Sequence, residues 1–254
     1  MYAEERQSAI VEEVASAGRC AVVDLASRFG VSAETVRRDL LMLERGGHLR
    51  RVHGGAVGSG TPLVTERPVP VRTEERAAQK QAIADRAVDL LPAAGSVLVD
   101  AGTTTARFAA TVPATARLTI ITHALPVAAT LGEHAGCELR LLPGRVRSTT
   151  QAAVGADTVE ALSRLRVDLA LVATNALGLE QGLTTPDHDE AATKRALVRA
   201  ARKVVVLADS TKLEQESTVR FADLADVDTL VTDAGISDAL VERLEQAGVE
   251  VLVA

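Results

Sequence analysis

Phe29-Gly30-Val31-Ser32-Ala33-Glu34-Thr35-Val36-Arg37-Arg38-Asp39-Leu40 opens the stretch whose reading decides the fold, and Arg50-Arg51-Val52-His53-Gly54-Gly55 closes it. Phe29 to Ser32 reads as a turn. Ser32 offers a side-chain oxygen to cap the helix that follows, and Glu34 puts a negative charge in its first turn, where the helix dipole favours one. Gly46-Gly47 stops that helix. With Val36 at 0° and 100° per residue, Leu40 and Leu43 fall within about 40° of it, an inward stripe. Glu34, Arg38 and Arg45 fall at roughly 160–200°, the opposite face, with Thr35 and Arg37 flanking.

Upstream, Ile10, Val11 and Val14 give one helical face ending near Gly18, and a second short helix runs over about 23–28. Residues 48–57 read as a β-hairpin. Three helices and a hairpin make a winged helix-turn-helix. A solvated arginine face with i,i+4 pairs such as Glu34–Arg38 would explain the third helix alone equally well. Turn, cap and wing in that order favour a duplex reader. Arginine bridges guanine O6 and N7 or clamps a phosphate, and a wing reaches phosphates or the minor groove. The candidate DNA-binding residues are Ser32, Glu34, Thr35, Arg37, Arg38, Arg45, Arg50, Arg51 and His53.

The net charge of −6 hides a split, because residues 19–57 hold seven arginines against four carboxylates, +3. A basic surface on an acidic body suits a duplex partner. Aromatics at 2% argue against base-stacking platforms for single strands. Cys20 and Cys137 lack metal-ligand spacing and read as reduced apolar filler, the usage of a cytoplasmic protein. No signal peptide or membrane-length apolar run is read, and no metal or cofactor is expected.

From Gly58 the text changes to Gly, Ser, Thr and Pro, and residues 58–73 read as a linker between a head at 1–57 and a domain at 74–254. A helix is expected over 74–91. Beyond it, short β-branched runs at 96–100, 118–122, 138–142, 168–173, 203–208, 228–231 and 249–253 alternate with helical segments such as 124–135, 188–202 and 237–247. Buried strands with helical crossovers mean an α/β domain with a mainly parallel sheet.

In that domain Asp100-Ala101-Gly102-Thr103-Thr104-Thr105 follows the first strand and opens a helix. Backbone N–H groups and hydroxyls there can cradle an anion, although threonine capping of a turn explains the motif about as well. Three further segments can converge on the same edge, where open α/β sheets bind ligands. They are Pro143-Gly144-Arg145-Val146-Arg147, Gly182-Leu183-Thr184-Thr185 leading to Glu190 and Lys194, and Asp209-Ser210-Thr211-Lys212. His123 at another strand end can bond a hydroxyl or be a satisfied polar residue.

The run Val31-Ser32-x-x-Thr35-Val36-Arg37-Arg38-Asp39-Leu40, with Glu5-Arg6 before it and Arg50-Arg51-Val52-His53-Gly54-Gly55-Ala56 after it, resembles the DeoR-type bacterial transcriptional regulators. The resemblance runs on to Thr232-Asp233. It implies an N-terminal winged helix-turn-helix and a C-terminal domain similar to ribose-5-phosphate isomerase and coenzyme A transferases that senses a phosphorylated sugar. The family pattern falls on Asp100, Gly102, Thr103, Thr104, Gly144, Arg147, Gly182, Glu190, Lys194, Asp209, Ser210 and Lys212. Thr105, His123, Arg145 and Asn175 complete the expected effector site. Three positions depart from the pattern: His123 replaces an asparagine, Arg145 a glycine and Thr211 a serine.

Similarity to repressors of fructose and phosphotransferase sugar operons implies fructose 1-phosphate or fructose 1,6-bisphosphate as effector. It also implies operator DNA as partner, bound by two heads of a homodimer or homotetramer and released by the sugar phosphate. The competing expectation is an aldose–ketose phosphate isomerase with an accessory head, Glu190 acting as base. The Thr184-Thr185-Pro186-Asp187-His188-Asp189 run speaks against it, since a glycine-rich segment is expected there.

Overall fold

A computed structural model describes residues 3–17, 19–45, 49–52, 54–58, 64 and 66–254. The chain divides into two compact units, Met1–Leu63 and Val64–Ala254.

The first unit runs α1 (Ala3–Ala17), β1 (Arg19–Ala21), α2 (Val22–Phe29), α3 (Ala33–Arg45), β2 (Leu49–Val52) and β3 (Gly55–Gly58). Gly30 takes a left-handed conformation (φ 63°). The Val31 N–H then reaches back to the Ala26 carbonyl at 3.1 Å, closing the end of α2. Ser32 Oγ accepts the Thr35 N–H at 3.1 Å, so α3 starts where the capping residue set it. Val36, Leu40 and Leu43 are buried with Ile10, Val14, Leu25 and Leu49 in one core. β3 pairs antiparallel with both β1 and β2, so the hairpin becomes a three-stranded sheet. Strand β1 was not expected from the sequence, because three residues carry no period. A Cβ on Gly55 would lie 2.2 Å from the Cys20 carbonyl oxygen, so only glycine lets β3 approach β1 this closely.

In the second unit, much of the segment expected as a linker is ordered against the body. Gly58 belongs to β3 of the first unit, while in the second the Val64 N–H donates to the Glu216 carbonyl at 2.9 Å and α4 (Val69–Glu74) follows. Pro68 and Pro70, read as breakers, sit at the cap and first turn of α4, where a missing N–H costs nothing. The single helix expected over 74–91 is interrupted at Arg76 (φ 51°) and resumes as α5 (Ala77–Val88).

The order then runs β4 (Gly95–Val99), α6 (Thr103–Thr111), β5 (Leu118–Thr122), α7 (Leu125–Leu131), β6 (Cys137–Leu141), β7 (Arg145–Arg147), β8 (Ala152–Val154) and α8 (Ala156–Ser163). It continues through β9 (Val167–Ala173), β10 (Ala176–Gly178), β11 (Gly182–Thr185), α9 (His188–Ala200), β12 (Ala201–Leu207), β13 (Val219–Ala222), β14 (Thr229–Thr232), α10 (Asp238–Gln246) and β15 (Glu250–Val253). Seven strands form one parallel sheet, ordered β15-β14-β12-β9-β4-β5-β6.

The apolar runs of the central strands of this sheet are buried on both faces. Ala170, Val172, Val204, Val206 and Leu230 pack with Leu162, Leu197 and Leu240. Their strand neighbours Leu169, Leu171, Val205, Leu207 and Val231 pack on the opposite face with Ile83, Phe108 and Val127. Each of these Val, Leu, Ile and Phe side chains contributes about 1.5–3 kcal/mol by leaving water. Strand order reverses between β4 and β9: β5 and β6 lie to one side of β4, and β9, β12, β14 and β15 to the other. The loops after β4 and β9 diverge there and leave a crevice at the carboxyl end of the sheet. No helix among the described residues is long and apolar enough to cross a membrane.

Candidate functional site

In the first unit, Ser32, Glu34, Thr35, Arg38 and Met42 of α3 line an open groove of about 520 Å³ together with Arg6, Gln7 and Asp39. Asp39 is buried, with Arg6 Nε at 2.7 Å, Arg6 Nη2 at 3.2 Å and Gln7 Nε2 at 3.0 Å. This two-pronged bond fixes α3 on α1, so the outward face is presented from a rigid support. Glu34 pairs with Arg37 at 3.2 Å, not with Arg38 as the helical spacing suggested. Arg38 is exposed and forms no ion pair among the described residues. Met42, 54% exposed one turn beyond Arg38, shares the groove and was not singled out from the sequence. Its position at 240° on the helical wheel was the available signal.

Arg51 is tied back to α3. Its side chain meets Glu44 at 3.0 Å, and its backbone N–H donates to Glu44 Oε1 at 2.8 Å. The wing is thereby fixed to the carboxyl end of the reading helix, and Arg51 is less available than expected. His53 and the side chains of Arg45 and Arg50 lie outside the described residues.

In the second unit, the crevice at the strand reversal is a cleft of about 280 Å³. Gly102, Thr103 and Thr104 enter it from the start of α6, Thr174 from beyond β9, and Asp209, Thr211 and Lys212 from beyond β12. Arg67, Arg72, Glu75, Arg76 and Lys80 line its other wall. Five cations thus face two carboxylates beside the positive end of a helix, the arrangement that holds an anion. Lys80 is only 4% exposed, and burial pushes its ammonium down from the ordinary lysine value. The Arg72 Nε is buried with no hydrogen-bond partner among the described residues. A bound anion would relieve both. The sequence reading passed over Arg67 and Arg72, which fall in the expected linker, and Arg76 and Lys80, which fall in the helix expected after it; their spacing of four to five residues was the signal.

Gly102, Thr103, Thr104, Asp209 and Lys212 are the expected effector residues that the structure brings to this cleft. Others form its foundation. Asp100 is wholly buried, ion-paired to Lys194, 2.9 Å from His123 Nε2, and accepting the Ala173 N–H at 2.9 Å. Burial works against its charge, but Lys194 and then His123 overcome that and hold the carboxyl at about 2. His123 Nδ1 lies 2.7 Å from the Ala153 carbonyl, so it carries a proton. Lys194 also donates to the Ala173 carbonyl at 2.9 Å. Asp100, His123 and Lys194 therefore do not face the cleft; they lock the ends of β4 and β9 beneath it. Thr105 donates inward to the Gly102 carbonyl at 3.0 Å, and Asn175 accepts from Thr185 at 2.9 Å, both buried.

The remaining expected residues sit elsewhere. Arg147 is held by Glu66 at 2.8 Å, Glu190 at 2.7 Å and Asp187 at 3.3 Å. Burial lowers its pKa, but the Glu66 and Glu190 carboxylates more than offset this and raise it. Its charge is neutralised within the protein, and the Glu190 carboxylate with it. Arg145 pairs with Asp189 at 2.6 Å on the surface. Gly144 and Gly182 answer to steric need: a Cβ would lie 2.1 Å from Thr158 Oγ1 and 2.3 Å from the Ala222 carbonyl, respectively. Ser210 bonds Asp233 through its N–H at 2.6 Å and its hydroxyl at 3.0 Å. Among the described residues no group of three or more His, Cys, Asp or Glu side chains is placed to hold a metal ion.

Residues 6–59 match the DeoR-like helix-turn-helix domain, and residues 75–234 match the DeoR C terminal sensor domain. The HTH-type transcriptional regulator GlpR of Haloferax volcanii is 39% identical over 252 residues, covering 99% of this chain and 98% of the relative. A putative aga operon transcriptional repressor of Escherichia coli O157:H7 is 32% identical, covering 98% and 93%. Among solved structures, ribose 5-phosphate isomerase A of Methanocaldococcus jannaschii is similar over 55% of each chain, with 17% identity and a TM-score of 0.41. With both of its units matched in order and relatives aligned end to end, the chain belongs to the DeoR family and is a DNA-binding transcriptional regulator.

Proposed function

We propose that this regulator is a repressor of a sugar operon, and that a phosphorylated sugar bound in the basic cleft releases it from its operator. The observation that carries this reading is the buried Lys80 beside Arg72 and Lys212 at the strand reversal, an anion site with an unpartnered guanidinium nitrogen. A phosphate is the group of that size and charge that sugar metabolism supplies. Fructose 1-phosphate and fructose 1,6-bisphosphate are the proposed effectors. The expected homodimer or homotetramer would place two heads on one operator, and the ligand acts by binding the DNA-free arrangement more tightly. In the head, Arg38 with Thr35 and Met42 reads bases, while Arg37 positions through phosphate.

The isomerase alternative needs Glu190 as a free base. Its salt bridge to Arg147 at 2.7 Å, with Glu190 buried, supports the regulator reading instead.

The test uses an operator duplex selected by the purified protein from a random library, with affinity read by fluorescence anisotropy. Arg38→Ala is expected to weaken specific binding by about 10- to 100-fold. Lys80→Met is expected to keep operator affinity and lose release by fructose 1-phosphate and fructose 1,6-bisphosphate. Full affinity in the first variant, or full response in the second, would remove the corresponding assignment.

A further inference from the structure

The basic cleft shares Gly102 and Thr103 with a second cavity of about 350 Å³. Helix α4 serves both: Arg72 lines the first, and Val69 and Thr73 line the second. The chemistry changes across the boundary. Where the cleft is cationic, the second chamber has walls of Ala106, Ala124 and Pro126, and no carboxylate lines it.

Two polar groups in this chamber have no hydrogen-bond partner among the described residues. Thr150 is only 6% exposed, and its hydroxyl makes no hydrogen bond among the described residues. The Arg107 Nε is also buried and unbonded, although the same guanidinium donates to the Thr73 carbonyl at 3.1 Å. Buried polar groups are nearly always satisfied, so a lone hydroxyl and a lone N–H in one cavity mark the place of a ligand's polar atoms. Gly102 stands at the boundary. A Cβ there would lie 2.8 Å from the Ala173 Cβ and 3.1 Å from Thr105 Oγ1, so a larger residue would push the shared wall of the two cavities out of place.

We propose that the second chamber takes the hydroxylated carbon skeleton of the effector, its phosphate seated in the basic cleft and its chain passing Gly102. Methyl and ring walls suit the C–H faces of a polyol, and Thr150 and Arg107 suit its hydroxyls. The inference rests on the reading that the cleft holds a phosphate. It adds that recognition is divided: charge on one side of Gly102, carbon skeleton on the other.

Titration calorimetry on the full chain separates these claims, with inorganic phosphate and fructose 1-phosphate as probes. Ala106→Leu narrows the chamber, and Thr150→Val removes the hydroxyl at constant shape. Fructose 1-phosphate is expected to bind at least about tenfold more weakly to Ala106→Leu and about three- to tenfold more weakly to Thr150→Val. Inorganic phosphate should bind both variants within about twofold of the parent. Unchanged fructose 1-phosphate affinity in Thr150→Val and Ala106→Leu would overturn the chamber's role, as would an equal loss of both probes. A parent protein that binds phosphate but no sugar phosphate would overturn it while leaving the cleft intact. A parent that binds neither would remove the cleft reading first.

Discussion

Asp100 carries a charge in a place with no water, and its surroundings exist to hold that charge. The carboxyl sits at about 2 in the folded protein against an ordinary 3.8. A depressed carboxyl contributes stability that is fully present above about pH 4 and is lost as pH falls towards 2. Removing its partner should be severe. Lys194→Met leaves the buried carboxylate with only His123 and the Ala173 N–H, an expected cost of about 3–5 kcal/mol at pH 7. That cost should shrink in acid, because Asp100 then protonates in the variant first. Urea unfolding at pH 7 and pH 4 checks both the size and the trend; equal stability at pH 7 would show the ion pair to be dispensable. Asp100, Gly102 and Lys194 were legible as site-forming types. Which of them face the cleft was not, because a motif records residue identity and not the direction of each Cβ. The bond from Lys194 to Asp100 spans 94 residues, beyond the reach of any local pattern.

At the scale of elements, the seven strands of the parallel sheet were legible as short runs bounded by turns, the central ones buried and β-branched and the edge strands β6 and β15 more exposed. Strands β7, β8, β10, β11 and β13 were not, since three or four residues carry no period and are fixed by pairing with distant partners. The largest miss was the segment from Val64 to Arg76. Its prolines look like breakers in a one-dimensional reading, but they start α4 where helices tolerate them. In the head, the approach of β3 to β1 through Gly55 is the element contact with least slack. Gly55→Ala should lower the stability of the head by about 1–3 kcal/mol through overpacking against the Cys20 carbonyl. Thermal unfolding followed by circular dichroism measures it; an unchanged head would mean that β1 can shift without loss.

For the whole molecule, two units with separate cores imply two unfolding events. A ligand of the second unit should raise only that unit's transition. At a hundredfold excess over Kd the stabilisation is about 2.7 kcal/mol. Differential scanning calorimetry with fructose 1,6-bisphosphate tests this, and a shift confined to the head's transition would contradict it. The charge split read from sequence, a basic patch on an acidic chain, has a counterpart in the second unit. There too the acidic total conceals a local cationic surface, assembled from Arg67, Arg72, Arg76 and Lys80 on one short segment and Lys212 far along the chain.

The wall of the cleft formed by residues 67–80 arrives with its own counter-ions. Arg67 is paired to Glu75, and Arg76 reaches Asp233 at 2.7 Å and Asp209 at 3.4 Å. The phosphate of the proposed effector would not fall into an open positive field; it would have to displace resident carboxylates. Such a receptor sets a detection limit: traces of anion leave it silent, and abundant metabolite trips it. Glu75→Gln frees Arg67 and should lower that limit, tightening phosphate binding by about two- to fivefold in calorimetry. Weaker or unchanged binding would deny the carboxylate this role. If the proposed function holds, acidic side chains in a site for acids act as the setting of the instrument, fixing how much sugar phosphate must accumulate before the gene responds.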